Sequence, residues 1–169
     1  SGPFGNVKYN LKQFNKEHEN ITLISQLEKS FRDHANLKCL GYREAFLNEK
    51  KEIDFKPGHK TLTYAEVWNH TQTLSKFIEK AELAPTQTYE KEGDYDGEEG
   101  EFKVMGLFAK NCAEWIALDI ACQLSSVTTA TFYSTLGEDS FEHVFMQTRL
   151  STLCISPENI KVLIKYQEK

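Results

Sequence analysis

The sequence predicts an α/β fold, with a mostly parallel sheet and flanking helices. Three apolar, β-branched or aromatic runs, at 104–108, 127–133 and 152–155, alternate with helical segments in the second half of the chain. A β-α-β-α-β-α order with short connections favours parallel pairing through right-handed crossovers. Because parallel strands are usually buried on both faces, we expect helices on both faces of this sheet.

The composition fits one globular domain. The 169 residues are 40% hydrophobic and 27% charged, and 11 Phe, 7 Tyr and 2 Trp can form a core. The longest uncharged run, 120–137, contains Gln, Ser and Thr, which indicates strand rather than a membrane helix. We predict a flexible N-terminal arm over 1–21 and a single α/β domain over 22–169.

The first half contains two predicted helices. Thr22 is a suitable N-cap for the first, whose apolar residues recur at helical spacing: Ile24, Leu27, Phe31 and Ala35. Thr63 and Glu66 form the capping-box pattern of the second helix, which Pro85 should end. Between the helices we expect short strands at 38–42 and 60–63, with a hairpin or loop around Pro57-Gly58.

An acidic segment follows the second helix. Residues 86–101 contain seven acidic residues and one lysine, a charge of −6, so the rest of the chain carries +1 and the net charge of −5 arises here. We interpret the segment as a solvated loop insertion, and no basic face supports nucleic-acid binding. Its spacing partly fits a calcium loop, but Lys103 stands where a bidentate glutamate is required. We therefore expect no metal site.

The second half should contain three more helices. Asn111 can cap a helix over 112–124, and a second helix over 138–149 has Phe141, Val144, Phe145 and Thr148 inward. Ser156 and Pro157 can begin a last helix as N-cap and N1. Its predicted inward residues are Ile160, Leu163 and Ile164.

The motifs that usually identify a catalytic site are missing from the sequence. It contains no phosphate-binding glycine loop and no G-x-S-x-G elbow. The five histidines have no zinc-type spacing, and the four cysteines form no C-x-x-C pair. Reduced, mostly buried thiols and a cytoplasmic location are therefore expected.

Several segments resemble long-chain fatty acyl-CoA synthetases, which belong to the AMP-forming adenylating ligases. Residues 104–115, VMGLFAKNCAEW, are similar to that family's VGIFSKNxPEW. Further similar segments, in the same order, are Cys39–Glu44 (CLGYRE), Leu62–Val67 (LTYAEV), Ala121-Cys122 and Tyr133–Gly137 (YSTLG). The chain departs from the pattern at Ala113, Thr131 and Ser134, where the family has Pro, Pro and Asp.

The resemblance implies the N-terminal subdomain of an adenylate-forming enzyme, and so part of a longer protein. Such enzymes use Mg²⁺ and ATP to convert a fatty acid into acyl-AMP and then transfer the acyl group to CoA. The family's ATP-binding and catalytic motifs have no counterpart in this chain. We therefore expect the fragment alone to be inactive and to bind none of these cofactors. Its partners would be the parent's remaining subdomains. A dimer and a membrane-associated parent stay open.

Two strand ends are candidate ligand contacts, since ligands of parallel sheets lie beyond the carboxyl ends of the strands. They are Ala109–Asn111 and Tyr133–Gly137. The resemblance implies that Tyr133, Ser134, Thr135 and Gly137 lie near the CoA path. The alternative is that these residues serve packing and turn formation. Two other functions also stay open: another acid-adenylating ligase, or a stand-alone α/β binding or interaction module without catalysis.

Overall fold

The computed structural model describes residues 19–90, 100–133 and 138–167. Helix α1 spans Leu23–Asp33 and begins at Thr22, as predicted. The Thr22 hydroxyl oxygen accepts from the Ser25 backbone N–H at 3.1 Å, and the Ser25 hydroxyl oxygen accepts from the Thr22 N–H at 3.1 Å. This reciprocal capping satisfies two N–H groups that the helix itself leaves unpaired.

Two small antiparallel ribbons follow α1. Strands β1 (Lys38–Tyr42) and β4 (Lys60–Thr63) lie where the sequence predicts strands, and they pair with each other. Between them, β2 (Ala45–Leu47) and β3 (Ile53–Phe55) form a nested hairpin. The side-chain oxygen of Asn48 closes its turn by accepting from the N–H groups of Lys50 and Glu52, at 2.9 and 3.0 Å.

Helix α2 spans Tyr64–Lys80 and has the predicted capping box. The Thr63 N–H donates to the Glu66 carboxylate at 2.7 Å, and the Glu66 N–H donates to the Thr63 hydroxyl at 3.2 Å. The helix ends at Lys80, before Pro85 is reached. Its buried face, which includes Val67 and Ile78, packs against the later helix α3 (Ala113–Leu124).

Strand β6 (Gly100–Phe108) is the centre of the main sheet. It pairs antiparallel with β5 (Thr86–Tyr89) and parallel with β7 (Thr128–Thr131) and β8 (Leu153–Ile155). Gly106 and Leu107 each have a partner in both β7 and β8, so these two strands lie on opposite sides of β6. The predicted α/β fold with a parallel sheet is confirmed.

The prediction of a loop over 86–101 is wrong at both ends. Residues 86–89 and 100–101 belong to paired strands, and only 91–99 lie outside the described residues. Residues 86–89, Thr-Gln-Thr-Tyr, include β-branched and aromatic side chains that favour a strand. The acidic residues that follow them give the whole segment the composition of a loop. The Tyr89 ring packs edge-on against Phe102 across the β5–β6 pair, with 5.7 Å between the ring centroids.

The two faces of β6 carry different cores. Met105 and Leu107 face one way and belong to a cluster with Ile78 of α2 and Ala121 of α3. Phe108 belongs to the opposite cluster, which is covered by α4 (Glu138–Thr148). There the Phe132 and Phe141 rings stack 5.3 Å apart. Phe141, Val144, Phe145 and Thr148 are buried or half-buried, as predicted.

Two helix starts differ from prediction. Cys112, not Asn111, is the N-cap of α3, and its side chain makes no capping hydrogen bond. Ser156 is an N-cap and Pro157 follows it at the start of the turn, as predicted, but the Ser156 side chain makes no capping hydrogen bond. The chain first forms a 3₁₀ turn (Pro157–Asn159) and only then α5 (Ile160–Gln167).

The predicted inward face of α5 is wrong at two of its three residues. Ile160 and Ile164 are 41% and 49% exposed, whereas Leu163 is half-buried as predicted. The buried position at the start of this segment is instead Asn159, the last residue of the 3₁₀ turn. Among the described residues, no helix is both long enough and apolar enough to cross a membrane.

Candidate functional site

A cleft of about 730 Å³ lies at the carboxyl ends of β6 and β8. The connection leaving β6 leads to β7 on one side, and the connection leaving β7 leads to β8 on the other. Such a reversal of strand order is where ligands bind in open α/β sheets. The loops after β6 and β8 supply Lys110, Asn111 and Ser156 to the cleft, and the first turn of α3 supplies Trp115.

The β2–β3 hairpin supplies the opposite wall through Arg43 and Phe55. The Arg43 guanidinium lies over the Phe55 ring, 5.3 Å from its centroid, and donates to the Phe55 carbonyl oxygen at 3.3 Å. At the hairpin base, the Glu44 carboxylate pairs with Lys60 at 2.7 Å and Lys56 at 3.0 Å. Hydrogen bonds from these lysines lower the pKa of Glu44. The carboxylate therefore stays ionised and keeps both ion pairs at this end of the hairpin.

Asn159, which is 5% exposed, links the ends of the two strands that carry the cleft. Its side-chain amide donates to the Phe108 carbonyl oxygen at 3.1 Å, and the Ser156 N–H donates to the same oxygen at 3.0 Å. The end of β6 is therefore fixed to the end of β8. The Ser156 hydroxyl is buried and, within the described part of the chain, has no hydrogen-bond partner.

The charges along the cleft are mixed. Arg43 and Lys110 oppose Glu114 and Glu158, so the lining favours a polar ligand without selecting one sign of charge. Cys112, which is exposed while the other three cysteines are buried or half-buried, also lines it, and desolvation raises the pKa of its thiol. Over 19–90, 100–133 and 138–167, no group of three His, Cys, Asp or Glu side chains could hold a metal ion. The charged and polar side chains of the lining can bind a polar ligand through hydrogen bonds and ion pairs.

Of the two predicted strand ends, the first lines this cleft, while Tyr133, the one described residue of the second, is not among the lining residues. Ala109, Lys110 and Asn111 line it. Tyr133 follows β7, on the other side of β6 from β8, and is 63% exposed. Ser134, Thr135 and Gly137 lie outside the described residues.

Sequence reasoning missed Arg43, Phe55 and Asn159 as residues of this region. Asn159 had a local signal, because it closes the Ser-Pro-Glu-Asn turn directly after a predicted strand. Arg43 and Phe55 had none, because nothing in the sequence shows that the hairpin reaches the sheet. Trp115 packs against the core cluster and also lines the cleft.

The fold is similar to part of the adenylation domains of known structure. The adenylation domain of a carboxylate reductase from Mycobacterium chelonae matches with a TM-score of 0.68 and 14% identity, over 87% of this chain and 21% of that one. A fatty acid AMP ligase from Legionella pneumophila matches with a TM-score of 0.54 and 15% identity, over 86% and 22%. No family model matches the sequence.

Several curated proteins similar to this chain are long-chain-fatty-acid–CoA ligases, and one is an acyl-CoA ligase, which confirms the resemblance. Rat long-chain-fatty-acid–CoA ligase 5 is 24% identical over 151 residues, 88% of this chain. Human long-chain-fatty-acid–CoA ligase 6 is 29% identical over 150 residues, and peroxisomal acyl-CoA ligase 891 of Penicillium roqueforti is 29% identical over 132. The chain spans only 17–18% of the length of these three relatives.

Proposed function

We propose that this chain is the N-terminal part of a long-chain fatty acid–CoA ligase. Similarity to ligases along 88% of the chain carries the proposal, and the cleft at the strand-order reversal supports it. Residues 22–169 would form one α/β domain with an acidic insertion, preceded by the arm at 1–21. The proposal includes a cytoplasmic location, consistent with four unpaired cysteines.

The proposed reaction has two steps. A fatty acid carboxylate attacks the α-phosphorus of ATP and pyrophosphate leaves, which forms acyl-AMP. The CoA thiol, losing its proton, then attacks the acyl carbonyl carbon and AMP leaves. Phosphate positioning and charge stabilisation need groups with no counterpart here. ATP and Mg²⁺ would therefore be held by the other subdomains, and this chain alone would be inactive.

The contribution of this chain would be to help orient the CoA. We assign that role to Tyr133, Ser134, Thr135 and Gly137. The exposure of the Tyr133 ring supports the assignment, because an exposed aromatic ring at a strand end can stack on a nucleobase. Lys110, on the neighbouring strand end, could pair with a phosphate.

The test is pyrophosphate release by the complete parent protein with fatty acids of 8 to about 20 carbons. We expect release that depends on the fatty acid and thioester formation that needs CoA, while the 169-residue chain shows neither. Tyr133→Ala in the parent should raise the KM for CoA and leave the KM for ATP unchanged. Met146→Ala, at a similarly exposed position, is the control. A parent that releases no pyrophosphate with any of these acids would overturn the proposal.

The alternative is a binding module without catalysis. It would be favoured if the reading frame ended after Lys169 and the chain were a stable monomer. A dimer stays a prediction, which sedimentation equilibrium of the chain would test.

A further inference from the structure

The end of strand β6 is fixed from both sides by the strands next to it. On the β7 side, the Phe132 N–H donates to the Leu107 carbonyl oxygen at 2.8 Å. On the β8 side, the Phe108 carbonyl oxygen accepts from the Ser156 N–H at 3.0 Å and from the Asn159 side-chain amide at 3.1 Å. A carbonyl oxygen has two lone pairs, so these two donors fill its acceptor capacity. The last carbonyl group of β6 is therefore held in one direction.

Asn159 is a buried polar residue at a position where packing alone would favour an apolar one. Its backbone N–H donates to the Ser156 carbonyl oxygen at 2.9 Å and closes the 3₁₀ turn, and its side-chain amide reaches the end of β6. Asparagine is mostly exposed in folded proteins, and a buried amide is accommodated through its hydrogen bonds. The role of this amide is therefore its contact with the Phe108 carbonyl oxygen.

The loop after β6 takes its position from this strand end. Residues 109–112 form neither helix nor strand, and exposed Lys110 lines the cleft two residues after Phe108. Because peptide units are rigid, a change in the direction of the Phe108 carbonyl group moves the Lys110 backbone with it. Among the described residues, those that line the cleft do not include Asn159, so this loop is its connection to a ligand.

The balance of charge in the cleft makes the position of Lys110 decisive. Arg43 and Lys110 are matched by Glu114 and Glu158, so the cleft has no net charge that would attract an anion. Arg43 donates to the Phe55 carbonyl oxygen. Within the described part of the chain, the Lys110 ammonium group has neither a hydrogen-bond nor an ion-pair partner. Lys110 is therefore the cation of the cleft that is available to an anion.

We propose that Asn159 is a positioning residue, which holds the loop after β6 so that Lys110 can pair with a phosphate group in the cleft. The identity of the ligand as CoA rests on the proposed function. The connection from Asn159 to Lys110 rests on the hydrogen bonds at the end of β6 alone.

The test is CoA binding by the complete parent protein, measured by titration calorimetry in the absence of ATP and fatty acid. Lys110→Ala should weaken CoA binding up to about fivefold, which is the range of an exposed ion pair. Asn159→Leu replaces the amide by an apolar side chain with the same number of heavy atoms, and it should weaken binding by a similar factor. The double variant should bind no more weakly than either single variant, because both changes remove the same contact.

Ser75→Ala is the matched control, because it removes another buried hydrogen bond, to Ser125 at 2.8 Å, and does not line the cleft. It should lower Tm and leave CoA binding unchanged. Hydrogen exchange over 109–112 should be faster in Asn159→Leu and unchanged in Ser75→Ala. Asn159→Asp has the shape of asparagine but no donor when ionised, and it repeats the comparison if the leucine variant does not fold.

Four results would overturn the proposal: no CoA binding by the wild-type parent, unchanged CoA affinity in either single variant, additive losses in the double variant, or unchanged hydrogen exchange over 109–112. Failure of both Asn159 variants to fold would also overturn it, since the residue would then be needed for folding. If the parent shows the expected pattern of CoA binding but releases no pyrophosphate, the ligase proposal fails and the positioning role of Asn159 stands.

Discussion

Replacing Gly106 by alanine tests the packing at the centre of β6. A methyl group there would lie 2.5 Å from Leu153 Cδ1, 3.1 Å from Phe132 Cε2 and 3.2 Å from Leu150 Cδ2. Ordinary contact begins at 3.4 Å, so Leu153 would have to move by about 0.9 Å while the other two neighbours also give way. Leu150, Leu153 and Phe132 all pack in one cluster, which leaves them little room to move.

The expected loss in the free energy of unfolding is the difference between two opposing contributions. Overpacking a well-packed core costs about 1–3 kcal/mol. Replacing glycine by alanine also reduces the conformational entropy of the unfolded chain, and this offsets about 0.4–1 kcal/mol of the packing cost. We expect Gly106→Ala to lower the free energy of unfolding by about 1–2 kcal/mol. For a chain of this size, that lowers Tm by about 2–8 °C.

Gly41→Ala is the matched control, because it also lies in a strand but has only the Lys60 carbonyl oxygen near the added carbon, at 4.0 Å. It should be neutral, or more stable by up to about 1 kcal/mol. Urea unfolding monitored by circular dichroism gives both values. If Gly106→Ala is as stable as wild type, or if both variants lose the same amount, the packing argument is refuted.

Three further predictions concern the helix caps and the thiols. Thr63→Ala should lower the free energy of unfolding by about 1 kcal/mol through loss of the α2 cap, measured by urea denaturation. Hydrogen bonding from the Thr63 N–H lowers the pKa of Glu66 from its ordinary 4.5. The stabilisation of the fold by the ionised Glu66 carboxylate is therefore complete above pH 4.5 and is lost as the pH falls through the folded-state pKa. The stability difference between wild type and Glu66→Gln should therefore shrink on acidification from pH 7, and a constant difference would contradict this. Burial raises the pKa of Cys122 to about 12, so a thiol reagent should label exposed Cys112 in the native protein and Cys122 only after unfolding, as peptide mass spectrometry would show.

Features that depend on neighbouring residues could be predicted from the sequence. Thr22 and Thr63 mark helix starts because a capping hydrogen bond spans only three residues. The parallel sheet could also be predicted, since short alternating units leave few alternative topologies. The β5 strand could not, because its register depends on pairing with β6 across the acidic residues.

The candidate site was harder to predict because its walls come from distant parts of the chain. Lys110 and Asn111 were identified, since a strand end is a local feature. Arg43 and Phe55 reach the cleft only because the β2–β3 hairpin folds towards the sheet. That placement depends on tertiary packing, for which the hairpin sequence contains no periodic signal.

The position of β6 between β7 and β8 has a consequence for synthesis on the ribosome. The β5–β6 ribbon can form as soon as Phe108 has emerged, since its partners are close in sequence. The buried half of β6 gains its first parallel partner only after residue 131 and its second only after residue 155. At about 5–20 residues per second, the β8 edge of β6 stays unpaired for about 2–10 seconds. During this interval the nascent chain presents an apolar strand edge on which a holding chaperone could act.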